Sequence, residues 1–236
     1  MALPWLLACA SVRGDQVRTL EILTRIPHTG YSEGLDWHEG YLWHAMPKEI
    51  VRIDPKDGAV LDRFAPASEY SESLVWAKGT LFNVSYSDNG LYAGKQVGKT
   101  LAFQRVGSVP EVHAWGIEHD GKNLVVTGNY SPKLYFLDPA TGAVRRTVET
   151  KVADLEDLAW DGRGLWSSSF TAYRGMIFRI DAQTGAVSGL FQLPAPDECP
   201  IVDGLAFDGT ALWVTGKNCP AIYKVRLPTE RMLSSK

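Results

Sequence analysis

The stretch "DGLAFDGTALWVT" (Asp203–Thr215) decides the fold. Apolar residues alternate along its first five positions, an Asp-Gly pair follows, and alternation resumes in "ALWVT". Period-two patterning broken by turn residues marks two antiparallel β-strands joined by a tight turn. Four other stretches repeat the pattern: "EGLDWHEGYLWHA" from Glu33, "ESLVWAKGTLFNV" from Glu72, "WGIEHDGKNLVVT" from Trp115 and "EDLAWDGRGLWSS" from Glu156. Three units continue as "IVRIDPKDGAV", "LYFLDPATGAV" and "IFRIDAQTGAV", each a third strand ending in an Asp-led, glycine-closed turn before a fourth strand. Four strands in a unit of about 40 residues is the spacing of a propeller blade.

The ends of the repeat array bear on closure. The fifth unit stops three strands in, after "AIYKVRL" (Ala221–Leu227), while "RTLEILTRIP" (Arg18–Pro27) stands alone ahead of the first. The expectation is an all-β, five-bladed β-propeller closed by an N-terminal strand completing the last blade, which removes an exposed sheet edge. Residues 17–228 would form this single domain. Residues 1–16 would be a signal remnant or an unstructured N-terminus, and residues 229–236 a C-terminal tail.

Composition agrees. The chain has 236 residues, 45% hydrophobic and 22% charged, enough for one large domain with a buried core. A formal net charge of -3 without basic clusters gives no footprint for nucleic acid or anionic lipid. No segment approaches the roughly 20 apolar residues of a membrane helix. The leading "MALPWLLACA" resembles the tail of an export signal, although it lacks basic residues and is interrupted by Pro4. The run ending at Cys9 also resembles a weak lipoprotein signal. An extracytoplasmic protein is therefore expected, with the cytoplasm as the alternative. A closed ring is expected to act as a monomer on a peptide or small-molecule substrate.

In such a ring the innermost strands start at one mouth of the channel. The equivalent positions there are Glu33, Glu72, Trp115, Glu156 and Asp203, so four carboxyls and a tryptophan should converge. Like charges held together raise one another's pKa, share protons or bind a cation. Two chemistries compete: general acid–base catalysis by a carboxyl kept protonated, and a hard divalent ion, most plausibly Ca2+, held by Glu33, Glu72, Glu156 and Asp203. Turns after the second strands should open on the same face. They bring His44 with Met46, Tyr86, Asn129 with Tyr130, Phe170 with Tyr173, and Lys217, the obvious cation for an acidic mouth. Cys199 and Cys219 flank that mouth; an exported protein would oxidise them to a disulfide, and a cytosolic one would keep them as thiols. No P-loop, nucleophile elbow or zinc spacing is present.

At these residues the chain resembles the plant-type and bacterial glutaminyl-peptide cyclotransferases. "VTGKNCPAIYKVRL" parallels that family's V-T-G-K-x-W-P ending, "WGIEHDGKNLVVTGNYSPKLYFLDPATG" its W-G-L-T-x-D-G…F-L-D-P segment, and "YSEGLDWHEGYLW" its F-T-Q-G-L segment. The resemblance implies a five-bladed propeller that turns an N-terminal glutamine into pyroglutamate, releasing ammonia without metal or other cofactor. It implies catalytic roles for Glu72, Lys217 and Glu156, with Glu72 transferring protons. Glu33, Trp115, Asp203, Phe170 and His44 would bind substrate. The family has amides where this chain has Glu33, Glu156 and Asp203, and tryptophans where it has Phe170 and Cys219. Amides that donate and accept have become acids, which only accept when ionised. "EGLDW" and "VDGLAFDGTALWV" also resemble metal-ligand segments of the six-bladed gluconolactonase/regucalcin propellers, which implies a Ca2+-dependent lactonase or hydrolase as the alternative. A non-enzymatic ligand-binding propeller is the third reading.

Overall fold

The alternating repeats form five antiparallel sheets in a computed structural model that describes residues 17–28, 30–172 and 174–228. The leader with Cys9, Tyr173 and the tail at 229–236 lie outside the described residues. Each sheet is a blade numbered by its order in the chain. The innermost strands are Gly34–His38, Ser71–Ala77, Ala114–His119, Leu155–Trp160 and Ile201–Phe207, and each pairs with the next strand outward. The fifth blade takes its outermost strand from the N-terminus: Glu21–Pro27 runs antiparallel to Ala221–Arg226, with Ile26 opposite Ile222. The expected closure is therefore present. One detail differs from the single added strand expected. The chain steps across a blade, and Arg18–Thr19 pairs in parallel with Val187–Gln192 on the edge of the fourth. Leu20 makes the step; its N–H donates to the Gln192 carbonyl at 2.9 Å and its side chain is buried.

Among the described residues the apolar core is divided into five clusters, one in each gap between blades. Trp43, Ile50 and Phe64 of the first blade meet Leu74 and Leu81 of the second. Trp166 and Phe191 of the fourth meet Val202 and Tyr223 of the fifth. The last gap is filled by Ile26, Trp213 and Ile222 against Leu35, Val51 and Ile53. The ring thus closes with the same apolar burial that joins its other blades.

The Asp-led turns contribute to this packing. In all three, the aspartate carbonyl accepts the N–H of the turn glycine: Gly58, Gly142 and Gly185, at 2.9, 2.8 and 2.8 Å. These glycines have φ of 80°, 68° and 72°. A Cβ on each would also stand 2.8, 2.8 or 2.1 Å from the carbonyl of Pro27, Val106 or Glu149 on the preceding blade. Only glycine serves a left-handed turn pressed this closely against a neighbour.

Candidate active site

Glu33, Glu72, Trp115, Glu156 and Asp203 all stand at the starts of the five inner strands, as the repeat register requires. The four carboxyls are buried, with exposures from 1% to 3%. The Lys217 ammonium reaches them from the end of the fifth blade's second strand, 3.0 Å from Asp203 Oδ2 and 3.5 Å from Glu33 Oε2. Tyr70 O–H donates to Glu33 Oε1 in a short hydrogen bond. Glu33 Oε2, Glu72 Oε2 and Glu156 Oε1 accept no hydrogen bond among the described residues, whereas Asp203 is engaged by the Lys217 ammonium and by the carboxyl of Glu156.

Buried acids this close do not all ionise. Burial, then Glu33 and Asp203, hold Glu72 well above the usual carboxylate range, and Lys217 only partly offsets this. Burial, reinforced by Asp203 and opposed by Lys217 and Tyr70, raises Glu33 to about 8. Burial brings Glu156 to about 7. Burial and then Glu156 push Asp203 well up. Burial works against the Lys217 ammonium, but Asp203, Glu156 and Glu33 outweigh it and keep the lysine charged. At neutral pH the mouth holds one fixed cation among carboxyls that share protons.

Aromatic rings stand around this group. Trp115 and Phe170 are half-buried with ring centres 6.1 Å apart, and Lys217 Nζ lies 5.5 Å from the Phe170 ring and 5.5 Å from Tyr31. Tyr70 leads to Tyr86 at 5.3 Å, and Tyr86 stacks on His113 at 4.0 Å. His44 is placed differently from the other expected site residues. It is fully buried behind the ring, with Nε2 2.8 Å from Ser32 Oγ and its ring edge-on to His28. Asn83 does the equivalent work in the second blade, donating to Ser71 Oγ at 2.8 Å. His44 therefore supports Glu33 through Ser32. Asn129 is also buried, and its Oδ1 accepts the His113 N–H at 3.1 Å. Met46 packs against the cluster between the fifth and first blades.

The repeat reading passed over Tyr31 and Tyr70, although their signal is in the sequence. The tripeptide Y-S-E occurs twice, at Tyr31–Glu33 and Tyr70–Glu72. Each tyrosine stands two residues before a ring acid, and both reach the mouth, Tyr70 at Glu33 and Tyr31 beside Lys217.

Directly beneath lies a layer of Gly34, Ser73, Gly116, Asp157 and Gly204. Asp157 Oδ2 accepts the N–H groups of Leu35 and Leu205, both at 2.9 Å, and Oδ1 accepts Ser73 Oγ–H at 2.6 Å. One carboxyl so joins four blades. Burial raises it to about 8 against those bonds. The glycines let the strands approach: a Cβ on Gly34 would meet Ser73 Cα at 2.8 Å, and one on Gly116 the Glu156 carbonyl at 2.3 Å. Two cavities, of about 190 and 530 Å3, lie near the far ends of the inner strands, beside His38 and Trp76 and beside His119 and Lys122.

Cys199, ahead of the fifth inner strand, and Cys219, two residues after Lys217, form a buried disulfide with Cα atoms 4.5 Å apart. It ties the approach to Asp203 to the turn after Lys217. Among the described residues no group of three or more His, Cys, Asp or Glu side chains is arranged to hold a metal ion. No helix there is long and apolar enough to cross a membrane.

A closed five-bladed propeller with a lysine among buried carboxyls at one mouth defines the class of protein. The glutamine cyclotransferase family profile matches residues 5–227, and the chain belongs to that family of transferase enzymes. No curated protein matches it significantly. Among solved structures it is similar to glutaminyl cyclase from Myxococcus xanthus, with 17% identity and a TM-score of 0.79 over 90% of this chain and 97% of that one. More distant likenesses are the PQQ-bound aldose sugar dehydrogenase of Streptomyces coelicolor (12% identity, TM-score 0.56, 88% and 98% covered) and virginiamycin B lyase of Staphylococcus aureus (16% identity, TM-score 0.51, 86% and 66% covered). At these identities the likenesses concern the fold. The ring has the five blades the repeats predict, one fewer than the propellers behind the lactonase-like alternative.

Proposed function

We propose that this cyclotransferase closes an N-terminal glutaminyl residue into a pyroglutamyl residue at the acid-lined mouth, releasing ammonia. The α-amine nitrogen forms a bond to the side-chain amide carbon, and negative charge develops on the carbonyl oxygen. The bond to the amide nitrogen then breaks. One proton leaves the attacking nitrogen and one reaches the departing nitrogen, so a single group that accepts and then donates completes the balance. Glu72 has that role: it is buried, it stands in the ring, and burial with its acidic neighbours Glu33 and Asp203 raises its carboxyl well above the usual carboxylate range. The Lys217 ammonium and the protonated carboxyls of Glu33 and Glu156 donate to the developing oxyanion. Trp115 and Phe170 wall the aliphatic part of the substrate.

One observation carries this reading. The ring presents unsatisfied acceptor oxygens from Glu33, Glu72 and Glu156 beside a fixed ammonium paired with Asp203. An amine and a primary amide supply the N–H donors those oxygens lack, and an amide carbonyl suits the ammonium. Lys217 supplies the positive charge, so the proposed reaction uses no metal. The test is ammonia release from a peptide beginning with glutamine, by the wild type and by Glu72→Gln. Turnover lost in the variant supports the reading, and wild-type silence on every such peptide overturns it. The Cys199–Cys219 disulfide supports work in an extracytoplasmic compartment, where such bonds persist. Closure of every blade supports a monomer.

A further inference from the structure

Asp157 and the glycines around it fill the channel just below the ring, so a peptide held by its first residue must leave outward through the mouth. The two most exposed large apolar side chains among the described residues are Tyr130 at 83% and Val112 at 70%, each next to one of a bonded pair of residues on that face, Asn129 and His113. Val112 lies three residues before Trp115 of the ring, and Tyr130 follows the second strand of the same blade. Their neighbours are bonded to each other: Asn129 N–H donates to the His113 carbonyl at 3.2 Å, and His113 N–H to Asn129 Oδ1 at 3.1 Å.

Both side chains project from pinned backbone. Asn89 Nδ2 donates to the Val109 carbonyl at 2.6 Å and to the Glu111 carbonyl, fixing the approach to Val112. Tyr130 N–H donates to Asp154 Oδ1 at 2.7 Å, and Asp154 lies two residues before Glu156 of the ring. Tyr130 has φ of 61°, a conformation bulky residues avoid, so its backbone is held there by its surroundings rather than by its own preference, with the side chain exposed. Exposed apolar surface on a rigid loop beside a site is the usual form of a recognition surface.

We infer that Tyr130 and Val112 form a preset apolar shelf for the side chain of the second residue of the peptide, giving the enzyme a preference for apolar second residues. This rests on the proposed cyclisation and specifies which peptides it serves. The shelf continues the site: its two segments lead directly into Trp115 and, through Asp154, into Glu156. Glu111 and Asp154 flank it, so an acidic second residue is disfavoured.

The experiment measures kcat/KM for glutaminyl-phenylalanine amide, glutaminyl-glycine amide and glutaminyl-aspartate amide. The wild type is expected to favour the phenylalanine substrate over the glycine one by about threefold to tenfold, the size of one added aromatic contact. Val112→Ala and Tyr130→Asn each reduce that ratio, and the double variant brings it close to one. Asparagine tolerates the left-handed conformation, so Tyr130→Asn removes apolar surface without disturbing the turn. Because the ratio is taken within each variant, any effect on the shared chemistry cancels. A flat second-residue series in the wild type, or a ratio unmoved in the double variant, overturns the shelf and leaves the cyclisation standing. Wild-type silence on all three substrates overturns both.

Discussion

Two tiers of acids lie along the channel, and their hydrogen bonds separate them. In the upper tier Glu33, Glu72, Glu156 and Asp203 face one another, Lys217 pairs with Asp203, and Glu33, Glu72 and Glu156 each keep an acceptor oxygen unsatisfied. Below, three acids are each engaged by the backbone of a neighbouring blade. Asp157 takes the N–H groups of Leu35 and Leu205, Asp36 takes that of Trp76 at 2.7 Å, and Glu118 that of Trp160 at 2.9 Å. Burial raises the pKa in both tiers, with Asp36 brought to about 7 and Glu118 held well up, so the shift alone does not distinguish them. What distinguishes them is whether the protein has already filled their acceptor sites. Filled acids hold inner strands together, and unfilled ones are left for the proposed chemistry.

The contrast can be broken most sharply by isosteric amides. Glu72→Gln should lower kcat/KM for a glutamine-initiated peptide by about a hundredfold to ten-thousandfold, the worth of a lost proton-transfer group. Its melting temperature should stay level or rise, since a buried acid without partners becomes neutral. A destabilised, active variant would move Glu72 into the structural tier.

Asp157→Ala should do the opposite, leaving the Leu35 and Leu205 amides unpaired in a buried layer, at about 1–3 kcal/mol for each group. Asp157→Asn should recover most of this, because its carbonyl can serve both N–H groups and its amide can donate to Ser73 Oγ. Chemical denaturation of both variants would show it. Equal stability of the alanine variant and the wild type would remove Asp157 from the structural tier.

A smaller effect separates the tiers by pH. Glu156 is raised to about 7 and Glu33 to about 8 in the folded chain, while unfolded carboxyls titrate near 4.3. Between those values the folded state binds more protons than the unfolded state, so stability falls as pH rises. Its full contribution is present below about 4 and is lost on passing 7 to 8. Melting curves should show this decline, and Glu156→Gln should flatten it most below pH 7. An unchanged slope in Glu156→Gln would mean that this acid is already ionised.

The smallest expected effect is that of calcium. With Lys217 3.0 Å from Asp203, millimolar calcium should leave the melting temperature unchanged. A rise reversed by chelator would restore the metal-binding alternative.

Much of this was legible in the residues. The recurring register of Glu33, Glu72, Trp115, Glu156 and Asp203 identified the mouth, and "VTGK" placed Lys217 beside it. The lower tier was not legible, although Asp157 is adjacent to Glu156. In "LEDLA" it looks like one more turn acid, and nothing in its own repeat announces that Leu35 and Leu205, far away in sequence, supply its donors. His44 occupies a turn-side position in its repeat yet lies behind the ring, because it must satisfy Ser32. The Y-S-E pair was visible but carried no meaning until Tyr70 was seen to reach Glu33.

The sequence by itself determined the strands, the blade count, the closure by the N-terminus and the composition of the mouth. All of these follow from local alternation and from a repeated register, which a single chain displays. Which acids became scaffold and which stayed open was decided only in the closed ring. Donors from different blades meet there, and a carboxyl's chemistry depends on who has claimed its oxygens.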